Sequence, residues 1–123
     1  MTQSIADFNA FRDEMNQLIL GAGNLTVNRF FALDGKCYEE GALGARTKEM
    51  LGLVSSLVLR CDDCITYHLI KCHEAGVTRD ELMEVFAVGL VVGGSIVIPH
   101  LRRAMARVEE IDGKTGGRED GKT

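Results

Sequence analysis

The chain has 123 residues, 46% of them hydrophobic and 26% charged, with one proline, no tryptophan and a formal net charge of −4. That length holds one domain with a core of its own, and the composition excludes a wholly disordered chain, a collagen-like repeat and a disulfide-dense mini-protein. An isoelectric point near 5.3 argues against nucleic acid as the main partner, because phosphate binding needs Lys and Arg clustered on one face.

The first predicted element is an amphipathic helix from Ala6 to Leu20, with Phe8, Phe11, Met15, Leu18 and Ile19 at helical spacing and Gly21 and Gly23 behind it. A second helix is expected over Val27–Glu40, with Phe30, Phe31, Leu33, Cys37 and Tyr38 as candidates for burial. From Thr47 to Leu59 the text is apolar nearly all round after its first turn, the pattern of a buried helix. A further helix spans Asp62 to Ala75 and closes on Gly76. Thr78 and Glu81 then form a T-x-x-E capping box that opens a helix through Val92. Gly93, Gly94, Ser95 and Pro99 predict a break around 93–98.

The last helix carries Leu101, Ala104, Met105, Val108 and Ile111 on one side, and Arg102, Arg103 and Arg107 read as its solvated face. The expectation is an all-α domain of about six helices over residues 1–112, followed by a disordered tail over 113–123. The apolar runs 51–59 and 85–92 exceed what one small core needs, which points to a subunit interface. The longest uncharged stretch, Val85–Pro99, is shorter than the ~17–25 residues of a membrane span. With no secretory pattern in MTQSIADFNAF, the expected location is cytoplasmic and the expected partners include no membrane. There, Cys37, Cys61, Cys64 and Cys72 are better read as metal, redox or packing residues than as a disulfide framework.

Chemistry concentrates in Cys61-Asp62-Asp63-Cys64-Ile65-Thr66-Tyr67-His68. On a helix, Cys64 and His68 share a face and Cys61 lies one turn before Cys64. A thiolate at a helix N-terminus is stabilised by exposed N–H groups and the dipole, and His68 can take the thiol proton or hold the thiolate as imidazolium. Two cysteines one turn apart can also close a redox disulfide. Glu49, twelve residues before Cys61, completes the pattern E-x11-C-x2-C-x3-H.

That pattern, with the text EEGALGARTKEMLGLVSSLVLRCDDC, HEAGVTRDELMEV and GGSIVIPHLRRAM, resembles the alkylhydroperoxidase AhpD-like proteins of the carboxymuconolactone decarboxylase superfamily. The resemblance runs from Phe30 to Val108. It implies an all-α, AhpD-like helical bundle that assembles into homo-oligomers, commonly trimers or hexamers. It further implies a thiol-dependent peroxidase in which Cys64 is the peroxidatic thiol, Cys61 the resolving thiol, and His68 with Glu49 a proton relay. No metal or cofactor is implied beyond the Cys61–Cys64 disulfide; the partners are a hydroperoxide and an external thiol or dithiol reductant, protein or small molecule. His100, Tyr67 and Asp63 are candidates for lining the pocket. Asp63 stands where AhpD proper has a histidine, and Asp62 with Asp63 would compete with a thiolate for the helix dipole.

Rival readings are a general thiol–disulfide oxidoreductase, a carboxymuconolactone decarboxylase-type enzyme without peroxidatic chemistry, and a metal- or ligand-binding module using Cys61, Cys64, His68 and one of His73 or His100. Cys72 and Cys37 read as packing residues, and His73 as solvated.

Overall fold

A computed structural model describes residues 3–113, which form six α-helices and no strand. By backbone contacts the chain divides into two compact units, Met1–Gly44 and Ala45–Thr123. Residues 114–123, most of the expected tail, lie outside the described residues.

The first unit holds α1 (Ile5–Gly21) and α2 (Leu25–Cys37). Each starts on a side-chain cap: Ser4 accepts from Asp7 N at 3.0 Å and Asn24 from Val27 N at 3.0 Å. Phe8 is the buried residue of α1, and α2 has none. The burial expected of α2 is therefore corrected. Phe30 and Leu33 are 66% and 65% exposed, and Cys37, read as core, is exposed as well. Helical spacing shows which side chains share a face, and nothing in it says whether that face meets a partner.

The second unit contains α3 (Ala45–Leu59), α4 (Asp62–Glu74), α5 (Arg79–Gly93), a single 3₁₀ turn (Ser95–Val97) and α6 (Ile98–Ile111). Its core is built from Leu53 and Leu57 of α3, Ile65, Leu69 and Cys72 of α4, Leu82 and Phe86 of α5, and Ala104 and Val108 of α6. Burying aliphatic and aromatic side chains of this size stabilises a fold by roughly 1.5–3 kcal/mol each, and this cluster holds α3, α4, α5 and α6 together. Gly89 lets α5 approach α3, since a Cβ there would meet Leu57 Cδ2 at 2.6 Å. Arg107, assigned to the solvated face, is instead 4% exposed, with Nε donating to Thr66 Oγ1 at 3.3 Å and one guanidinium nitrogen to Glu110 at 3.1 Å. Its long stem packs on the core while the head finds acceptors.

The α3–α4 junction is what fixes the cysteine pair. Arg60 adopts φ +63, a left-handed conformation that non-glycine residues seldom take. Around it, Arg60 N donates to Leu57 O at 3.1 Å and Cys61 N to Ser56 O at 3.1 Å, the two bonds of a Schellman helix stop. Cys61 then caps the next helix, its Sγ accepting from Cys64 N at 3.2 Å. One residue thus ends α3 with its backbone and begins α4 with its side chain. At the far end of α4, Gly76 takes φ +82 as the expected stop, and the Thr78–Glu81 capping box that follows is complete.

Candidate active site

The site lies between α3 and α4. Glu49 and His68 come from these two neighbouring helices, and Glu49 Oε1 sits 2.8 Å from His68 Nδ1 with side chains only 12% and 10% exposed. A carboxylate only accepts, so Nδ1 carries the hydrogen in this pair and Nε2 is left as the basic nitrogen of a neutral ring. The ring rests flat on Gly52, where a Cβ would lie 2.6 Å from Cε1, 2.8 Å from Nε2 and 2.9 Å from Nδ1. Tyr67 meets the imidazole edge-on, with ring centroids 5.2 Å apart and planes at 73°. The imidazole is therefore held on three sides, by a carboxylate, a bare backbone and an aromatic ring.

Cys64 stands one turn before His68 on α4 and is exposed, whereas Cys61 is half-buried. No disulfide joins any of the four cysteines. Cys72, one turn after His68, is fully buried. Burial pushes its thiol up to about 12, the Glu49 carboxylate adds to the rise, and Arg46 opposes it. His68 thus sits between a thiol open to solvent and a thiol kept protonated.

His100, expected as a pocket residue, is placed by the structure in a second cluster at the start of α4. Its Nδ1 lies 2.8 Å from Asp62 Oδ1, and Arg103 Nε donates to Asp62 Oδ2 at 2.8 Å. Burial works to raise the Asp62 carboxyl, but the bonds from His100 and then Arg103 outweigh it and hold the group below its ordinary value. The Asp62 charge is accordingly engaged by α6, which weakens its competition with a thiolate at this helix start. Asp63 is exposed, and so is His73. Among the described residues, no group of three or more His, Cys, Asp and Glu side chains is placed to hold a metal ion.

Sequence reasoning missed Gly52 and the pairing of Asp62 with His100 and Arg103, the last of which it had assigned to a solvated face. Gly52 had a readable signal, an isolated glycine in an otherwise apolar helix, three residues after Glu49 and so on its face. Asp62 and Arg103 lie 41 residues apart, and no local pattern joins them.

Residues 24–107 match the model of the carboxymuconolactone decarboxylase family. The chain belongs to this family. Two crystal structures of a Thermotoga maritima protein superpose with a TM-score of 0.84; one is 49% identical and covers 90% of this chain and 97% of that one, the other is 48% identical and covers 92% and 96%. That protein is described as a carboxymuconolactone decarboxylase family member with a suggested part in the antioxidative response. A family member from Legionella pneumophila, solved in its apo form, is 27% identical with a TM-score of 0.63, covering 85% of this chain and 87% of its own. An uncharacterised protein of the Paracoccus denitrificans cox locus is 30% identical over 92 residues, 75% of this chain and 83% of the relative. In this family member, α3 and α4 carry the Glu49–His68 pair, and the junction between them and the first turn of α4 carry Cys61 and Cys64.

Proposed function

We propose that the chain is a thiol-dependent peroxidase that reduces hydroperoxides with the Cys61–Cys64 dithiol. The observation that carries this reading is the buried 2.8 Å Glu49–His68 bond one helical turn beyond an exposed Cys64. A nucleophile, a base and a group that orients the base form the arrangement needed to activate a thiol. The antioxidative role suggested for the Thermotoga relative supports the same reading.

In this mechanism Nε2 of His68 takes the Cys64 proton, while Glu49 fixes the ring and stabilises the imidazolium that results. The Cys64 thiolate attacks the peroxide O–O bond, giving a sulfenic acid and an alkoxide that collects a proton as the alcohol. Cys61 then attacks the sulfenic sulfur; the S–S bond forms and the hydroxyl leaves as water. An external thiol or dithiol supplies two electrons and restores both thiols. The reaction requires no bound cofactor. We place the protein in the cytoplasm, where such reductants are available; no helix of the described residues is long and apolar enough to cross a membrane. Val91 and Leu59, 85% and 75% exposed, supply apolar surface for the homo-oligomer expected of the family.

The test is a thiol count before and after one equivalent of an organic hydroperoxide, with Cys64→Ser as control. Rapid loss of two thiols in the native protein, absent in Cys64→Ser, is the expected result. Retention of all four thiols in the native protein would overturn the peroxidase assignment.

A further inference from the structure

The start of α4 carries a second carboxylate–imidazole pair that the peroxidase reading leaves unused. Asp62, the residue after Cys61, is held by His100 and by Arg103, both on α6. Arg103 also approaches His100 Nδ1 at 3.1 Å, so the three side chains form one cluster. A guanidinium and an imidazole converge on the carboxylate of the first residue of α4, the residue next in sequence to the one whose sulfur caps the helix. The other acid at this turn, Asp63, is exposed, and the 3₁₀ turn that packs on α6 brings no titratable side chain. Arg103 and Asp62 cancel in charge when His100 is neutral; with His100 protonated the cluster carries one net positive charge.

We propose that Asp62, His100 and Arg103 form a charge-setting cluster for Cys61 that governs opening of the Cys61–Cys64 disulfide by an external dithiol. The proposal rests on the dithiol reading above and names the half-reaction in which each sulfur is assisted: Cys64 by Glu49–His68 on oxidation, Cys61 by this cluster on reduction. Access decides which sulfur the reductant meets. Cys64 is exposed and Cys61 half-buried, so the incoming thiolate attacks the Cys64 sulfur, the S–S bond breaks, and Cys61 leaves with the electron pair as a thiolate. The Cys64 N–H already points at that sulfur from 3.2 Å. The second thiol of the reductant then displaces Cys64, closing the reductant's own disulfide; the reductant loses two electrons and the protein gains them. A positive charge beside Cys61 lowers the barrier to its departure, and a negative one raises it. Asp62, His100 and Arg103 are positioning residues in this scheme, acting on Cys61 through their field.

Oxidising the whole protein with diamide forms the disulfide without any peroxide, and the rate of its opening by dithiothreitol is the readout. Arg103→Gln removes a positive charge and is expected to slow opening, while Asp62→Asn removes a negative charge and is expected to speed it, each by about three- to tenfold. Arg103→Lys keeps the charge and should hold the native rate. A packing role would move Asp62→Asn and Arg103→Gln in the same direction, and that outcome overturns the proposal. So would native rates in both. A protein whose diamide-formed disulfide obeys these signs, yet loses no thiol to hydroperoxide, would refute the peroxidase reading and leave the cluster standing.

Discussion

The protein contains the same chemical pair twice, Glu49–His68 between α3 and α4 and Asp62–His100 between α4 and α6, each with a carboxylate oxygen 2.8 Å from Nδ1. What differs is burial. The side chains of the first pair are 12% and 10% exposed, those of the second 36% and 19%. In the more buried pair water is a poor substitute for either partner, so removing one largely strands the other; in the wetter pair solvent and Arg103 share the task. Equal geometry therefore gives unequal energetic weight, and the buried pair is the one suited to hold a base in a single orientation.

The largest effects are expected at Glu49. Glu49→Gln can still accept from Nδ1 but carries no charge to stabilise an imidazolium, so the hydroperoxide rate should fall by about 10²-fold with little change in melting. Glu49→Ala leaves a buried Nδ1–H without its acceptor and should cost about 1–3 kcal/mol in chemical denaturation, whereas Asp62→Ala, at a side chain 36% exposed, should cost less than about 1 kcal/mol. Equal losses at the two sites would break the comparison.

Gly52→Ala attacks the buried pair from its other side. A methyl at 2.6–2.9 Å from three ring atoms cannot coexist with the imidazole where it stands, so His68 must shift and lengthen its bond to Glu49. Overpacking of this kind costs about 1–3 kcal/mol. Cys64 alkylation by iodoacetamide is expected to slow in Gly52→Ala, while the Asp62–His100 cluster is untouched. A native alkylation rate in Gly52→Ala would show that the glycine is only a packing choice.

How much of this was legible beforehand varies by residue. The order and type of the helices were readable because local devices announce them: the Thr78–Glu81 box, Gly76 as a stop, and the glycines and proline around the 3₁₀ turn. The pattern linking Glu49, Cys61, Cys64 and His68 could be seen because two helical spacings and one short junction set it. Placement across helices was not readable. The α6 helix has a clear apolar stripe, yet Arg107 is buried beside it and Arg103 reaches across to Asp62, since long cationic side chains follow acceptors on neighbouring elements. Cys37 and Cys72 look alike in sequence, and one is exposed while the other is fully buried.

The smallest effect separates the pairs by acid titration. The bonds from His100 and Arg103 hold the Asp62 carboxyl below its ordinary value, so its contribution to stability is complete above about pH 4, where an unfolded aspartate is ionised, and is lost as pH falls through the lower folded value. Asp62→Asn has no such titration. The native protein should therefore exceed Asp62→Asn in unfolding free energy near neutrality by less than about 1 kcal/mol, given an exposed and screened pair, and the gap should close as acid is added. Added salt should narrow the same gap, because Asp62 and Arg103 are both more than a third exposed. The Glu49→Ala deficit should respond far less to salt, since that carboxylate is only 12% exposed. A salt-insensitive gap at Asp62 would mean that the second pair is as dry as the first, and the division of labour between the two imidazoles would lose its physical basis.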